Sequence, residues 1–178
     1  MDTQTILEGN GRFRATAAHV GLAMMPRRRM LIVGCADPRV DPQEVLGLEL
    51  GDAAVVRNIG GRVTAPTLAT IAGLGRLGAR TPQAANRPDA PGLDLVILHH
   101  TDCGILRLAE EPEALARFLG TDLAHMADMH VDDPYAAVAH DVTVLRSLGM
   151  PGTRAWGLVY DVATGAVEIA VASEEVPA

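Results

Sequence analysis

Two short stretches concentrate the residues able to do chemistry. "HHTDCG" (99–104) sets adjacent histidines before a cysteine, and "GCADPRV" (34–40) holds the only other cysteine of the chain. Two thiolates and one imidazole make a zinc-binding set that leaves a fourth position open for water or substrate. In the second stretch Cys35, Asp37 and Arg39 stand at two-residue spacing, and Pro38 biases Asp37 toward extended backbone. The three side chains are therefore expected to project in similar directions, a carboxylate and a guanidinium beside a metal ligand. Their pairing would keep Asp37 ionised and in one orientation. Cys103 and Gly104 stand at the expected start of a helix, where unpaired N–H groups favour a thiolate. Spacing alone leaves open which of His99 and His100 completes the set.

Such a set requires its halves, far apart in the chain, to meet in space. "MLIVG" (30–34) and "LDLVIL" (93–98) are short apolar runs of the kind expected of strands buried on both faces. The first leads directly into Cys35, the second into the histidines. "AAVVRN" (53–58) reads as another strand, ended by Gly60 and Gly61. Helices are expected at 41–50, with Asp41 as cap and Pro42 at the first position, and at 65–78. Further helical segments are expected over 105–120, restarting at Pro112, and over 132–149, capped by Asp133. "TRAWGLVYD" (153–161) and "AVEIAVA" (166–172), joined through "DVATG", predict a closing hairpin. Residues 2–23 suit one or two helical pieces interrupted near Gly9–Gly11, and 81–92, with three prolines, suits an exposed loop.

This order predicts an α/β fold. It comprises a mostly parallel sheet of about four strands plus one antiparallel edge strand, with helices on its faces. In such sheets sites form outside the carboxyl ends of the strands, and right-handed crossovers would bring Cys35 to the histidine–cysteine segment.

The bulk properties narrow the function. A length of 178 residues, 48% of them apolar, suits a single domain over 1–178, with 1–24 as an N-terminal helical arm. A net charge of -7 with 3% aromatic residues argues against nucleic-acid binding. No apolar run approaches a membrane span, and the first twenty residues lack the apolar segment of a signal peptide. Reduced thiols in the cytoplasm are therefore expected. "RRRM" (27–30) reads as a solvated approach to a strand rather than a basic patch. A formal G-x-G-x-x-G at 73–78 falls inside a helix instead of between a strand and a helix, so it fails the context of a dinucleotide site.

"CADPRVDPQEVLG", "GDAAVVRNIGG" and "LHHTDCG" together resemble the successive signatures of the β-class carbonic anhydrases, and "GLVYDVATG" resembles the last hairpin of that family's small bacterial members. The resemblance implies zinc held by Cys35, His100 and Cys103, with Asp37 and Arg39 as a catalytic dyad. It selects His100 over His99, whose side chain would then face the other side of the strand. It implies reversible hydration of carbon dioxide to bicarbonate through zinc-bound hydroxide, with Ile59 and Val63 near the metal. It also implies a homodimer or larger homo-oligomer, joined through residues 2–23 and 53–61. Carbonyl sulfide and carbon disulfide hydrolases share these signatures, and a noncatalytic zinc or thiol module is the reading from another class. Pro38 stands where the family more often has serine or alanine, and the 81–92 loop is long for it. His125 and His130 are the candidates for carrying protons, against a bland role as exposed histidines.

Overall fold

The computed structural model describes residues 2–81, 92–150 and 152–176. Its strands are β1 (Met30–Cys35), β2 (Ala53–Asn58), β3 (Asp94–His100), β4 (Arg154–Tyr160) and β5 (Val167–Glu175). They form one sheet in the order β2-β1-β3-β4-β5, with β1 to β4 parallel and β5 antiparallel at the edge. The fold is the α/β arrangement expected, four parallel strands and one antiparallel edge strand. The helices are α1 (Thr3–Ala15), α2 (Pro42–Val45), α3 (Ala65–Gly78), α4 (Pro112–Leu119) and α5 (Pro134–Arg146). Three 3-10 turns lie at Ile59–Gly61, Gly104–Glu110 and Leu123–Met129.

The uninterrupted apolar character of β1 and β3 follows from burial on both faces. On one face Leu31, Val33, Leu95 and Ile97 pack with Ile71 of α3 and with Val138, Val142 and Leu145 of α5. On the other, Ile32, Val96 and Leu98 pack with Val40 and with Val45 and Leu46 around α2. β2 and β3 flank β1 on opposite sides, so the chain leaves β1 toward one edge and then crosses back. That reversal opens a crevice at the carboxyl ends of β1 and β3.

Local differences from expectation have physical causes. α1 runs through Gly9 and Gly11 without a break, started by Asp2, whose side chain accepts from the Thr5 N–H, and braced by a Gln4–Glu8 hydrogen bond. It buries no residue within the chain. α2 is only four residues long because Gly47, at φ 61°, turns the backbone away. β3 runs two residues further than its apolar run, since the ladder to β4 continues through both histidines. The 3-10 turn at Leu123–Met129, begun by Asp122, carries no apolar periodicity and was not expected. Of the three motif glycines in α3, only Gly78 is tightly packed, against Met25. Most of the predicted 81–92 loop lies outside the described residues. Among the described residues no helix is long and apolar enough to cross a membrane.

Beneath the α5 side of the sheet lies a buried ion pair. Arg62 Nε and Nη2 donate to Asp141 at 2.8 and 3.2 Å, and both side chains are almost wholly buried. Burial opposes the Asp141 charge, but His99 and Arg62 together hold its carboxyl below the ordinary value. Removing one partner strands the other charge in the core, so Asp141→Ala is expected to cost about 3–5 kcal/mol, read from urea unfolding at pH 7. Because the folded-state value is the lower one, the pair's contribution is complete above about pH 4 and is lost as pH falls further. The gap between wild type and variant should accordingly close in acid, and a gap constant from pH 7 to 3 would refute this assignment.

Candidate metal centre

Cys35 and His100 are the last residues of β1 and β3, and Cys103 immediately precedes the Gly104–Glu110 turn. The parallel register pairs Gly34 with Leu98, which carries the following residues of both strands into the crevice together. The ligand-capable atoms of Cys35, His100 and Cys103 all lie within 4.8 Å of one another. Two of them, the sulfurs, are 3.7 Å apart. The Cys103 thiol is the main influence drawing Cys35 down to about 4, while the Cys35 thiolate pushes Cys103 upward. The pair thus favours one negative charge and one shared proton, and a bound cation would take that proton's place.

His100 supplies the clearest test of fit. Its Nδ1 lies 2.9 Å from the Thr101 carbonyl oxygen, to which the N–H donates, leaving the Nε2 lone pair free. Nε2 is buried and has no hydrogen-bond partner. Burial works against a charge on the ring, yet the Cys35 thiolate outweighs it and the net shift is upward. An orphaned imidazole nitrogen facing two sulfurs is a donor set suited to zinc. His99 points to the opposite face, where its Nε2 lies 3.2 Å from Asp141 Oδ2. Strand alternation therefore separates the two histidines as expected.

Asp37 and Arg39 meet as the spacing predicts. Arg39 Nε and Nη2 grip the two carboxylate oxygens at 3.0 and 2.7 Å, and the Arg39 backbone N–H adds a bond of 2.9 Å. These contacts hold the Asp37 carboxyl down to about 2. Asp37 Oδ2 lies 4.0 Å from His100 Nε2, so the carboxylate borders the donor set.

Three supporting residues escaped the sequence reading. Arg57 donates to the carbonyl oxygens of Cys35, Asp37 and Val40, at 2.8, 2.7 and 3.0 Å, and so braces the whole loop. Asp102 accepts from Arg39 Nη1 at 2.8 Å, from a left-handed backbone at φ 51°. Arg62, described above, was passed over as well. Each is an ordinary charged residue in the sequence, and only the long-range fold supplies its partner. The position of Asp102 between His100 and Cys103 was the one available signal.

A cavity of about 50 Å³ adjoins His100 and Cys103, with Gly60, Arg62, Asp102, Ile105, Asp132 and Ala137 in its walls. It is far smaller than the 300–1,000 Å³ or so of drug-sized pockets. Val63 does not line it, being packed in the core under α3, and Ile59 is exposed instead. Ile105 and Leu106 supply apolar lining beside His100 and Cys103. His125 and His130 are exposed and absent from the cavity walls; His125 pairs with Asp122 at 2.7 Å.

A parallel α/β sheet with a Cys₂His set and an Asp–Arg pair at its switch point defines a narrow class. Residues 30–133, more than half of the chain, match the family model described as carbonic anhydrase. The chain belongs to the β-carbonic anhydrase family. It is 35% identical over 91 residues to beta-carbonic anhydrase 1 of Mycobacterium tuberculosis, covering 51% of this chain and 48% of that protein. It is 31% identical over 87 residues to a carbon disulfide hydrolase of Acidianus, covering 49% and 37%. The chain thus spans about half the length, or less, of these curated relatives. The solved structure of a Streptococcus mutans carbonic anhydrase superposes with a TM-score of 0.65 at 29% identity, covering 96% of this chain and 98% of that one.

The close approach at Gly61 gives a direct test of how the crevice is built. Its φ is +67°, and a Cβ there would come within 3.0 Å of the Cys35 backbone nitrogen and 3.1 Å of the Leu98 carbonyl oxygen. Backbone cannot yield as a side-chain tip can. Gly61→Ala is therefore expected to exceed the roughly 1–2 kcal/mol of left-handed strain alone, read as a loss of unfolding free energy. A variant as stable as wild type would show that the approach is looser than described.

Proposed function

We propose that this protein catalyses the reversible hydration of carbon dioxide to bicarbonate and a proton, with zinc held by Cys35, His100 and Cys103. The observation that carries the proposal is the unpartnered, buried His100 Nε2 facing two sulfurs, bordered by a locked carboxylate. When bound, zinc supplies a Lewis acid that brings the pKa of water toward about 7. Asp37, kept ionised by Arg39, would accept a hydrogen bond from the water that such a metal activates and so help orient it. Arg39 does not touch the reacting atoms in this scheme; it holds Asp37 in place. Gly60 and Ile105 share the wall of the small cavity beside His100 and Cys103 with the polar Arg62, Asp102 and Asp132, and its volume of about 50 Å³ suits a linear triatomic molecule.

The relatives support two substrates. Carbon dioxide is favoured by the mycobacterial and streptococcal proteins named as carbonic anhydrases, and carbon disulfide by the Acidianus enzyme. Carbonyl sulfide belongs with carbon disulfide as a second reading on the same residues. A closed, noncatalytic zinc module is disfavoured because, among the described residues, the donor group has three members and no fourth cysteine or histidine.

We place the protein in a reducing compartment, the cytoplasm, where two thiol ligands stay available. The domain boundaries proposed are 1–178 for the whole and 1–24 for the arm. A second copy is the proposed partner, since α1 leaves Ile6, Leu7 and Phe13 exposed and the β2 edge exposes Val55 with nearby Ile59.

The purified protein should hold one zinc per chain, and Cys35→Ser should lose most of it, by elemental analysis. Metal-free protein that is folded and fully active after chelation would sink the proposal. Arg39→Ala should retain zinc while carbon dioxide hydration drops roughly 10-fold or more, the range for an outer residue that orients a metal site. Hydration at the wild-type rate would remove Arg39 from the scheme. Parallel assays with carbon dioxide, carbonyl sulfide and carbon disulfide on one preparation decide the substrate.

A further inference from the structure

Arg62 and Asp141 are fully buried, yet nothing in the scheme above uses them. Replacing a buried ion pair by apolar side chains of similar volume is often neutral or stabilising, so stability alone does not account for it. The contacts of the pair suggest what does. Each donor residue sits on a segment tied to it.

The tie to His100 runs through its neighbour, because His99 Nε2 lies 3.2 Å from Asp141 Oδ2. The tie to Cys35 runs through the glycine turn. The Arg62 and Val63 backbone continues from Gly61, whose Cα packs against the backbone of Gly34 and Cys35, and the Val63 N–H donates to Asp141 Oδ2 at 3.2 Å. Asn58 closes that turn, accepting from the Arg62 N–H at 2.8 Å and donating to the Arg62 carbonyl oxygen at 2.7 Å. The tie to Cys103 runs through the Leu123–Met129 turn. Arg62 Nη1 donates to the Met129 carbonyl oxygen at 2.9 Å, and Met129 packs in one cluster with Ile105 and Cys103.

We infer that the buried Arg62–Asp141 pair is a positioning element of the metal centre, the common anchor of the three segments that carry Cys35, His100 and Cys103. The inference rests on the zinc reading proposed above. A guanidinium is suited to this because its planar fork directs several donors at once, with directions that apolar packing cannot impose. Asp141 receives two of the ties, from His99 and from the Val63 N–H, and Arg62 delivers the third, to the Met129 carbonyl oxygen.

The test compares zinc affinity, by competition with a chromophoric chelator, and the visible spectrum of the cobalt(II)-substituted protein. Wild type comes first: if it binds no zinc, the metal reading itself has failed, independently of this inference. The variant Arg62→Met/Asp141→Leu removes both charges and fills their space. It should melt at or near the wild-type temperature, bind zinc at least about 10-fold more weakly and show shifted cobalt bands. Arg62→Lys keeps the charge but loses the fork, and should fold with zinc affinity reduced about threefold or more. Either variant, folded and binding zinc within about twofold of wild type with an unchanged cobalt spectrum, would overturn the inference. Should the double variant fail to fold, Arg62→Lys decides; if neither folds, the pair is a stability element and the positioning role is refuted.

Discussion

The parallel pairing of β1 with β3 is the constraint on which the rest depends. Cys35 and His100 belong to strands separated by two crossovers, and nothing local brings them together. The ladder from Met30–Asp94 to Gly34–Leu98 does so, because both strands end at the same level of the sheet. A one-residue slip would reverse the faces of β3, sending His99 into the crevice and His100 into the core. Such a slip is opposed on both sides. Leu95 and Ile97 are matched to α5, Val96 and Leu98 to the α2 segment, and His99 alone can meet Asp141. The buried carboxylate of α5 therefore helps set register as well as charge.

Electrostatics then decides what the crevice can hold. The protein carries a net charge of -7, but the loop between Cys35 and Asp41 is enclosed by cations. Arg57 covers three of its carbonyl oxygens and Arg39 covers the Asp37 carboxylate. With those acceptors neutralised, the crevice is left with the two sulfurs, of which Cys35 accepts the Asp37 N–H at 3.4 Å, and with the buried imidazole nitrogen. Sulfur and nitrogen ligands favour a borderline-soft cation over calcium or magnesium, which take oxygen ligands.

Sequence reasoning reached the parts of this protein that are local or periodic. β1 and β3 announced themselves as apolar runs, and Asp41, Pro42, Asp133 and Pro134 marked two helix starts that the structure bears out. The Cys35–Asp37–Arg39 spacing was visible because one short loop holds all three. What stayed hidden depends on partners distant in the chain. Arg57 gives no hint in "VVRN" that its side chain reaches back across β1, and Arg62 meets Asp141 across 79 positions. Val63 illustrates the same limit. Its apolar character could not tell a cavity wall from a core position until the left-handed backbone at Gly60 and Gly61 redirected the chain.

The Asp37–Arg39 pair joins these themes, since its geometry limits what Asp37 can do. Both carboxylate oxygens are occupied: Oδ1 accepts from Arg39 Nε and the Arg39 N–H, and Oδ2 from Arg39 Nη2. For Asp37 to turn toward the donor set, it must surrender at least the bond to Nη2. Arg39 would not then be left unpaired, because Asp102 already takes Nη1 through its side chain and Nη2 through its carbonyl oxygen. The guanidinium has one tether on each side, so releasing Asp37 would leave its charge satisfied. Asp102 holds that second tether from a strained backbone, at φ 51°, between the two residues His100 and Cys103. The strain has a functional counterpart in this arrangement, because a right-handed backbone at that position would direct the carboxylate elsewhere. Arg39 is thus held ready whether or not Asp37 stays with it.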